Sequence, residues 1–405
     1  QSITSGTATA LTTNTFTKTG YTFAGWNTVA GGTGTSYTDA QSVTITSGLT
    51  LYAQWTANTN TVTFNNNTGS GSMANQSITS GTATALTSNT FTKTGYTFAS
   101  WNTAADGSGT SYTNAQSVTL TSGLSLYAQW TANTNTVTFN NNSGSGTMAN
   151  QSITSGTATA LTSNSFTKTG YTFAGWNTAS NGSGTSYTDA QSVTLTSGLT
   201  LYAQWTANTN TVTFNNNAGS GTMANQSITS GTATALTSNT FTKTGYTFAG
   251  WNTAANGSGT AYTNAQSVTL TSGLSLYAQW TGNTYTVTYN YNSATSGNST
   301  LSNNFTVGGT AITLPTPSKT GYTFDGWFES STFTGSALAS SYSPSASVTI
   351  YAKWTAVSYT LTWDSNGGST VTGTSSFVVT DTIALPTAPT KTGKYFAGWS
   401  TTETS

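Results

Sequence analysis

QSITSGTATALT (Gln1–Thr12) is spelled again from Gln76, from Gln151 and from Gln226, at intervals of 75 residues. A fixed period of that length, carrying its own apolar pattern and turn residues, encodes one small folded unit copied in tandem. The tryptophans extend the ruler. Trp26, Trp101, Trp176 and Trp251 keep the period, and Trp327 and Trp399 follow at intervals of 76 and 72. A second series, Trp55, Trp130, Trp205, Trp280 and Trp354, trails the first by 27 to 29 residues. The copies alternate in detail: Asp39 and Thr50, then Asn114 and Ser125, then Asp189 and Thr200, then Asn264 and Ser275. That alternation reads as duplication in pairs. All five prolines and most of the acids fall in the last third, which reads as the same unit, more diverged.

Working outward within one copy, Val62 and Phe64 alternate with Thr61 and Thr63, the two-residue period of a strand with one dry and one wet face. Asn65 to Asn75 is Gly/Ser/Asn-rich and reads as a loop. Ile78 and Thr82 to Leu86 suggest a second strand, and Tyr96, Phe98 and Trp101 a third. Ser100, a glycine in the other copies, marks a bulge that turns Phe98 and Trp101 to the same side. Asp106-Gly107, matched by Asn181-Gly182 and Asn256-Gly257, predicts a tight chain reversal. Val118 and Leu120 form a short strand, and Leu124, Leu126, Ala128 and Trp130 alternate into the last. No apolar period of about 3.6 residues persists, so any helix is short. The joint from Thr131 to Thr136 leaves about five residues between the last strand of one module and the first of the next, short enough for a semi-rigid array.

The modules so delimited are 1–56, a partial module without its first strand; 57–131, 132–206 and 207–281; 282–355, diverged; and 356–405, a partial diverged module without its last strand. Because both ends fall inside a module, the chain reads as a piece of a longer protein, with signals or anchors outside it.

Composition removes several function classes. Charged residues are only 4% of the chain, the formal net charge is zero, and there is no arginine. Nucleic acid and acidic membranes demand a basic stripe, so neither is an expected partner. Aromatic content of 12% and abundant threonine and valine favour packed sheet over disorder. Without cysteine there is no disulfide or thiolate metal site. No apolar run spans a bilayer, so membrane insertion of this segment is not expected.

The string KTGYTFDGW (Lys319–Trp327), followed by YAKW (Tyr351–Trp354) and YTLTWDSNGG (Tyr359–Gly368), resembles the Listeria-Bacteroides repeat family, to which the B repeats of internalin-type surface proteins belong. GYTFAGW (Gly20–Trp26) and LYAQW (Leu51–Trp55) carry the same marks in the first copy. The resemblance covers essentially the whole chain. It implies a β-grasp-like module of secreted, cell-wall-attached bacterial proteins, many of them adhesins. Two departures are a longer loop before Gln76 and its equivalents, and Thr, Ser and Asn in place of family lysines and acids. The family has no shared catalytic or binding residues to carry over. The expected fold class is therefore all-β to α+β, a tandem array of β-grasp-like modules forming an extended rod.

Chemistry finds little purchase. An enzyme needs a positioned acid, base, nucleophile or metal, and the module from Gln226 to Thr300 has no Asp or Glu. Lys18, Lys93, Lys168 and Lys243 recur, each in a Thr-Lys-Thr-Gly turn where a solvated lysine is the simpler reading. A repeat with at most one acid, as in the first four copies, gives no calcium cluster. A self-formed lysine–asparagine crosslink needs a nearby acid, which the fourth module lacks. No catalysis, metal or cofactor is expected. Tyr52, Tyr127, Tyr202 and Tyr277 lie out of phase with the Trp of their strand and are the candidate surface contacts. The sequence thus supports two roles. One is the repetitive shaft of a bacterial cell-surface adhesin or extracellular filament, whose partners are neighbouring modules of the same or an identical chain, head to tail. The alternative is a lectin-like module binding host or environmental glycans through those tyrosines.

Overall fold

The computed structural model describes residues 1–401. Two compact units divide the chain, Gln1–Ala207 and Asn208–Ser405. In the first unit, a complete sheet runs Gln76–Thr79, Thr59–Asn65, Leu124–Ala132, Tyr96–Asn102, Ser111–Tyr112 from edge to edge. Its central pair is parallel, Val62 opposite Leu124 and Phe64 opposite Leu126, and every other pairing is antiparallel. A separate two-stranded ribbon, Thr84–Ala85 with Ser117–Val118, lies apart from it. The core gathers Val62, Ile78, Leu86, Phe91, Trp101, Val118 and Leu126. The same order recurs in Gln151–Thr154, Thr134–Asn140, Leu199–Ala207, Tyr171–Asn177 and Ser186–Tyr187. The first copy has only Ser36–Tyr37, Tyr21–Asn27 and Tyr52–Ala57, plus the ribbon of Thr9–Ala10 and Ser42–Val43.

In the second unit, Thr209–Asn215 is the inner strand of a five-stranded sheet of the same order. The diverged copy keeps four strands: Ser302–Thr306, Thr284–Asn290, Val348–Ala356 and Tyr322–Phe328. In the final module Tyr359–Thr360 pairs with Ser376–Phe377, and residues 402–405 of the expected 356–405 span lie outside the described residues.

Two expectations are corrected. The fold class, expected to range from all-β to α+β with β-grasp-like modules, is all-β: the described residues contain no helix. The segment between Thr79 and Tyr96 holds no helix: it forms the short strand Thr84–Ala85 and contributes Leu86 and Phe91 to the core. Its Thr, Ser and Asn residues compete locally for backbone hydrogen bonds and carry no helical apolar stripe. The expected second strand through Ile78 and Leu86 is two elements, Gln76–Thr79 in the main sheet and Thr84–Ala85 in the ribbon.

The bulge is where the sequence places it. Pairing with the last strand slips between Phe173 and Gly175, and at the equivalent step between Phe98 and Ser100. Phe98 and Trp101 consequently both face inward, their rings 5.0 Å apart and edge to face. Gly25 adopts φ 138°, and a Cβ there would stand 2.7 Å from the Tyr37 carbonyl oxygen. Ser100 occupies the same bulge without a positive φ.

Candidate functional site: the joints between modules

The joint is tighter than the sequence suggests. Strand Tyr52–Ala57 ends one residue before Thr59–Asn65 begins, and Leu124–Ala132 one residue before Thr134–Asn140. The single residue between them is Asn58 or Asn133, and its backbone N–H, its backbone carbonyl and its side-chain Oδ1 are each engaged. Asn133 N–H donates to Gly95 O at 2.9 Å, Ser155 N–H donates to Asn133 O at 2.8 Å, and Thr97 Oγ1 donates to Asn133 Oδ1 at 2.6 Å. Asn58 repeats these bonds with Gly20, Ser80 and Thr22 at 2.9, 2.8 and 2.6 Å. Beneath each joint a buried amide is paired with a buried hydroxyl: Asn60 Nδ2 donates to Ser80 Oγ at 2.7 Å and Asn135 Nδ2 to Ser155 Oγ at 2.8 Å. Such a pair is stable inside protein only because both partners are satisfied.

Close approach across the joint requires glycine. Gly95 has φ +81°, and a Cβ would meet Ser155 Oγ at 2.9 Å and Thr196 at 3.0 Å. The tyrosine that follows reaches the next module, Tyr21 OH donating to Ser80 O at 3.2 Å and Tyr96 OH to Ser155 O at 3.3 Å. Over each tyrosine ring lies the repeated lysine. Lys18 Nζ is 4.0 Å from the Tyr21 centroid, Lys93 4.4 Å from Tyr96, Lys168 4.5 Å from Tyr171 and Lys243 4.4 Å from Tyr246. Lys18 and Lys93 therefore cap the aromatics that reach across the joints of the first unit, in a cation–π contact worth about 0.5–1 kcal/mol at an exposed site. Lys93 also donates to Thr68 Oγ1 at 2.9 Å.

The sequence of these repeats is matched by a known repeat model. The model of the Listeria-Bacteroides repeat domain fits six times, over residues 1–54, 61–129, 136–204, 211–279, 285–353 and 359–405. The chain belongs to the Listeria-Bacteroides repeat family. A protein named as a Gly-rich membrane protein of Evansella cellulosilytica is 31% identical over 394 residues, covering 94% of this chain and 44% of the relative. A second protein of that organism, named as a membrane protein, is 32% identical over 206 residues, covering 50% of this chain and 29% of its own length. Internalin H of Listeria monocytogenes is 39% identical over 84 residues, 20% of this chain and 15% of its own. The chain thus spans less than half the length of each of these relatives.

In the diverged Listeria-Bacteroides repeat of the second unit the joint is rebuilt in apolar terms. Asn283 keeps its bonds to Gly245, Val307 and Thr247, at 2.9, 3.0 and 2.7 Å. Tyr285 and Val307, however, replace the Asn and Ser of the buried pair, and Val307 packs 3.2 Å from where a Gly245 Cβ would stand. Phenols become buried in this repeat. Burial raises the pKa of Tyr289 and of Tyr291. Burial first, then the hydrogen bond to Glu329, raises that of Tyr342.

The candidate tyrosines do not converge on a common site. Tyr127 is half-buried, its Cα opposite Asn65 on one side and Asn102 on the other, and Tyr202 and Tyr277 are placed alike between asparagines. Tyr52, which has no neighbouring inner strand, is 44% exposed.

Sequence reasoning missed Asn102 and its equivalents Asn27, Asn177 and Asn252. Asn102 is buried at the end of its strand and organises the loop that follows. Its Nδ2 donates to Gly107 O, Gly109 O and Ser111 Oγ at 3.1, 3.2 and 3.0 Å. Its Oδ1 accepts from Ala104 N and Gly109 N at 2.9 and 3.0 Å. The expected reversal at Asp106-Gly107 is present as a turn closed by Gly107 N–H donating to Ala104 O at 3.1 Å, with Gly107 at φ +80°, and it sits inside a wider loop wrapped around this one side chain. Recurrence of an Asn directly after Trp26, Trp101, Trp176 and Trp251 was the available clue.

Proposed function

We propose that these repeats serve as a non-catalytic shaft in a secreted bacterial cell-surface adhesin or extracellular filament, holding other parts of the assembly at a distance. The observation that carries this reading is the joint: a one-residue connection bonded through its backbone N–H, its carbonyl and its side-chain oxygen, repeated with equivalent partners and distances within the first unit. A binding module needs no such standardisation of its connections, whereas a shaft gains stiffness from each. Kinship with internalin H supports a bacterial surface location. The sparsely charged Thr/Ser/Asn coat supports behaviour indifferent to ionic strength, because there is little charge to screen. Small-angle scattering of the whole chain tests the proposal. A compact particle of 405 residues has a radius of gyration of about 22 Å. A shaft gives a value well above it that does not change with salt, and a value near it rejects the reading.

The rival reading, glycan binding, is favoured by the exposure of Tyr52 alone. A glycan array probed with the chain and with Tyr52→Ser and Tyr127→Ser variants separates the two. Binding lost in either variant establishes recognition, and no binding to any glycan leaves the shaft.

A further inference from the structure

The loop that Asn102 and its equivalents hold changes its chemistry from copy to copy at the tip. Gly31-Gly32, Asp106-Gly107, Asn181-Gly182 and Asn256-Gly257 occupy the same place. Each is closed by the same turn: Gly32, Gly107, Gly182 and Gly257 N–H donate to the carbonyls of Val29, Ala104, Ala179 and Ala254 at 3.0, 3.1, 3.0 and 3.0 Å. The turn therefore forms whether the residue ahead of the glycine carries no side chain, a carboxylate or an amide.

In the two amide copies the side chain is set up for attack at its own carbonyl carbon. Asn181 and Asn256 are exposed. Oδ1 of Asn181 accepts from Ser183 N–H at 3.1 Å and from Ser183 Oγ at 2.7 Å, and Asn256 Oδ1 accepts from Ser258 at the same distances. The next backbone nitrogen belongs to glycine, so no Cβ shields it. Attack by that nitrogen on Cγ would move negative charge onto Oδ1, where both serine donors already point, which is the arrangement of an oxyanion hole. Asn177, four residues before Asn181, is the contrast. It is buried, its Nδ2 is bonded to Gly182 O, Gly184 O and Ser186 Oγ, and threonine follows it. One loop thus holds a protected amide and a labile one.

We propose that Asn181 and Asn256 are self-modification sites, each deamidated by the glycine that follows it. Hydroxide removes the proton from Gly182 N, the nitrogen bonds to Asn181 Cγ, and the Cγ–Nδ2 bond breaks as Nδ2 takes a proton and leaves as ammonia. Water then opens the cyclic imide. Cleavage between the ring nitrogen and Cγ gives aspartate, and cleavage between that nitrogen and the main-chain carbonyl carbon of residue 181 gives isoaspartate. In sum an amide and water become a carboxylic acid and ammonia, with no oxidant, metal or enzyme. Because Gly182 N–H must first leave Ala179 O, the turn slows the reaction below that of an open peptide. Asp106, held by Ser108 Oγ at 2.7 Å and Ser108 N at 3.0 Å, shows the aspartate product's side chain already accommodated, so the loop keeps these bonds after conversion. In the fourth copy, which has no Asp or Glu from Gln226 to Thr300, the new carboxylate is the sole acid. The site therefore charges an almost uncharged surface with age. It rests on the loop alone and is independent of the shaft reading.

Ageing the intact chain in mildly alkaline buffer, with peptide mass spectrometry and an isoaspartate assay at intervals, tests the proposal. Amide-to-acid conversion is expected at Asn181 and Asn256, with isoaspartate at both and a rate that rises with hydroxide, while Asn177 and Asn252 stay intact. Ser183→Ala removes the hydroxyl donor from one site and leaves Asn256 as the control in the same molecule. It should slow conversion at Asn181 by about tenfold, less than the loss of a buried oxyanion donor because solvent shares the charge. A serine that only held the loop would act the other way, since loosening the turn frees Gly182 N for attack. Conversion at Asn181 and Asn256 no faster than at Asn177 and Asn252, or a rate at Asn181 unchanged or raised by Ser183→Ala, would overturn the proposal.

Discussion

A single buried asparagine holds a whole loop in this protein. Asn102 uses both amide hydrogens and its carbonyl oxygen to hold the loop from Ala104 to Ser111, and no water is needed to complete the arrangement. In the diverged repeat Phe328 stands at that position and packs edge to face on Phe333 at 5.8 Å, so the site accepts either a full polar set or none. An Asn102→Ala change gives neither. It leaves the Ala104 and Gly109 amides without their acceptor and should cost about 2–4 kcal/mol, by the penalty for unpaired buried polar groups. Hydrogen exchange would locate the loss at those two amides, and protection unchanged there would show that the loop holds itself. At the exposed end of the same loop Asp106 carries a charge where Asn181 and Asn256 stand in the next two repeats. Asp106 accepts from Ser108 Oγ at 2.7 Å and Ser108 N at 3.0 Å, and these bonds, the hydroxyl first, hold its carboxyl below the ordinary value of 3.8. A depressed folded pKa means the contribution is present above that ordinary value and is lost as pH falls through the lower, folded one. Asn181 and Asn256 make the same bonds without titrating. On acidification below 3.8, the Ser108 amide resonance should therefore move while those of Ser183 and Ser258 stay.

Among the elements, those governed by side-chain alternation were legible and those governed by pairing were not. Val62 and Phe64, Tyr96 to Trp101 and Leu124 to Trp130 announce their strands because a half-buried strand must alternate. The bulge was equally legible, since two inward aromatics three residues apart cannot share a face without an extra residue. The joint was not. Ala132 is strand because it pairs with Tyr96, and Thr134 because it pairs with Thr154, neither of which shows in the local pattern. The Thr84–Ala85 ribbon is too short to carry a period, and the parallel central pair joins residues about sixty apart, as Val62 and Leu124 show. The joint cluster around Ser80 was illegible for the same reason: its members come from two modules. The bulge also yields a prediction. Gly175 has φ 136°, and a Cβ would lie 2.9 Å from Tyr187 O, which suggests a strict need for glycine. Ser100 shows that the bulge relaxes to a negative φ. Gly175→Ser should accordingly cost no more than about 1 kcal/mol by thermal unfolding, at the lower end of the usual cost of a strained backbone residue. A loss of several kcal/mol would mean that the second repeat has compensations the third lacks.

At the scale of the molecule, stability belongs to neighbours as much as to modules. A repeat array behaves as units coupled through their interfaces, and the coupling decides whether they unfold together or one by one. Here the coupling is concentrated in few atoms. Between the modules either side of Asn133 it runs through that residue's three bonds, the Tyr96 hydroxyl on Ser155 O, and the glycine that allows the approach. Asn133→Gly removes the bond from Thr97 and adds backbone freedom at the one connecting residue, yet touches neither hydrophobic core. The intrinsic stability of each module should therefore stay nearly constant while the interface weakens. The expected result is a broader unfolding transition, with amides of Gln151–Thr154 exchanging by smaller openings than those of the Trp176 core. Tyr96→Phe, which deletes only the hydroxyl, should give the same change in milder form. A transition of unchanged sharpness in Asn133→Gly would show that the modules fold as independent beads, and that the recurring joint contributes geometry without cooperativity.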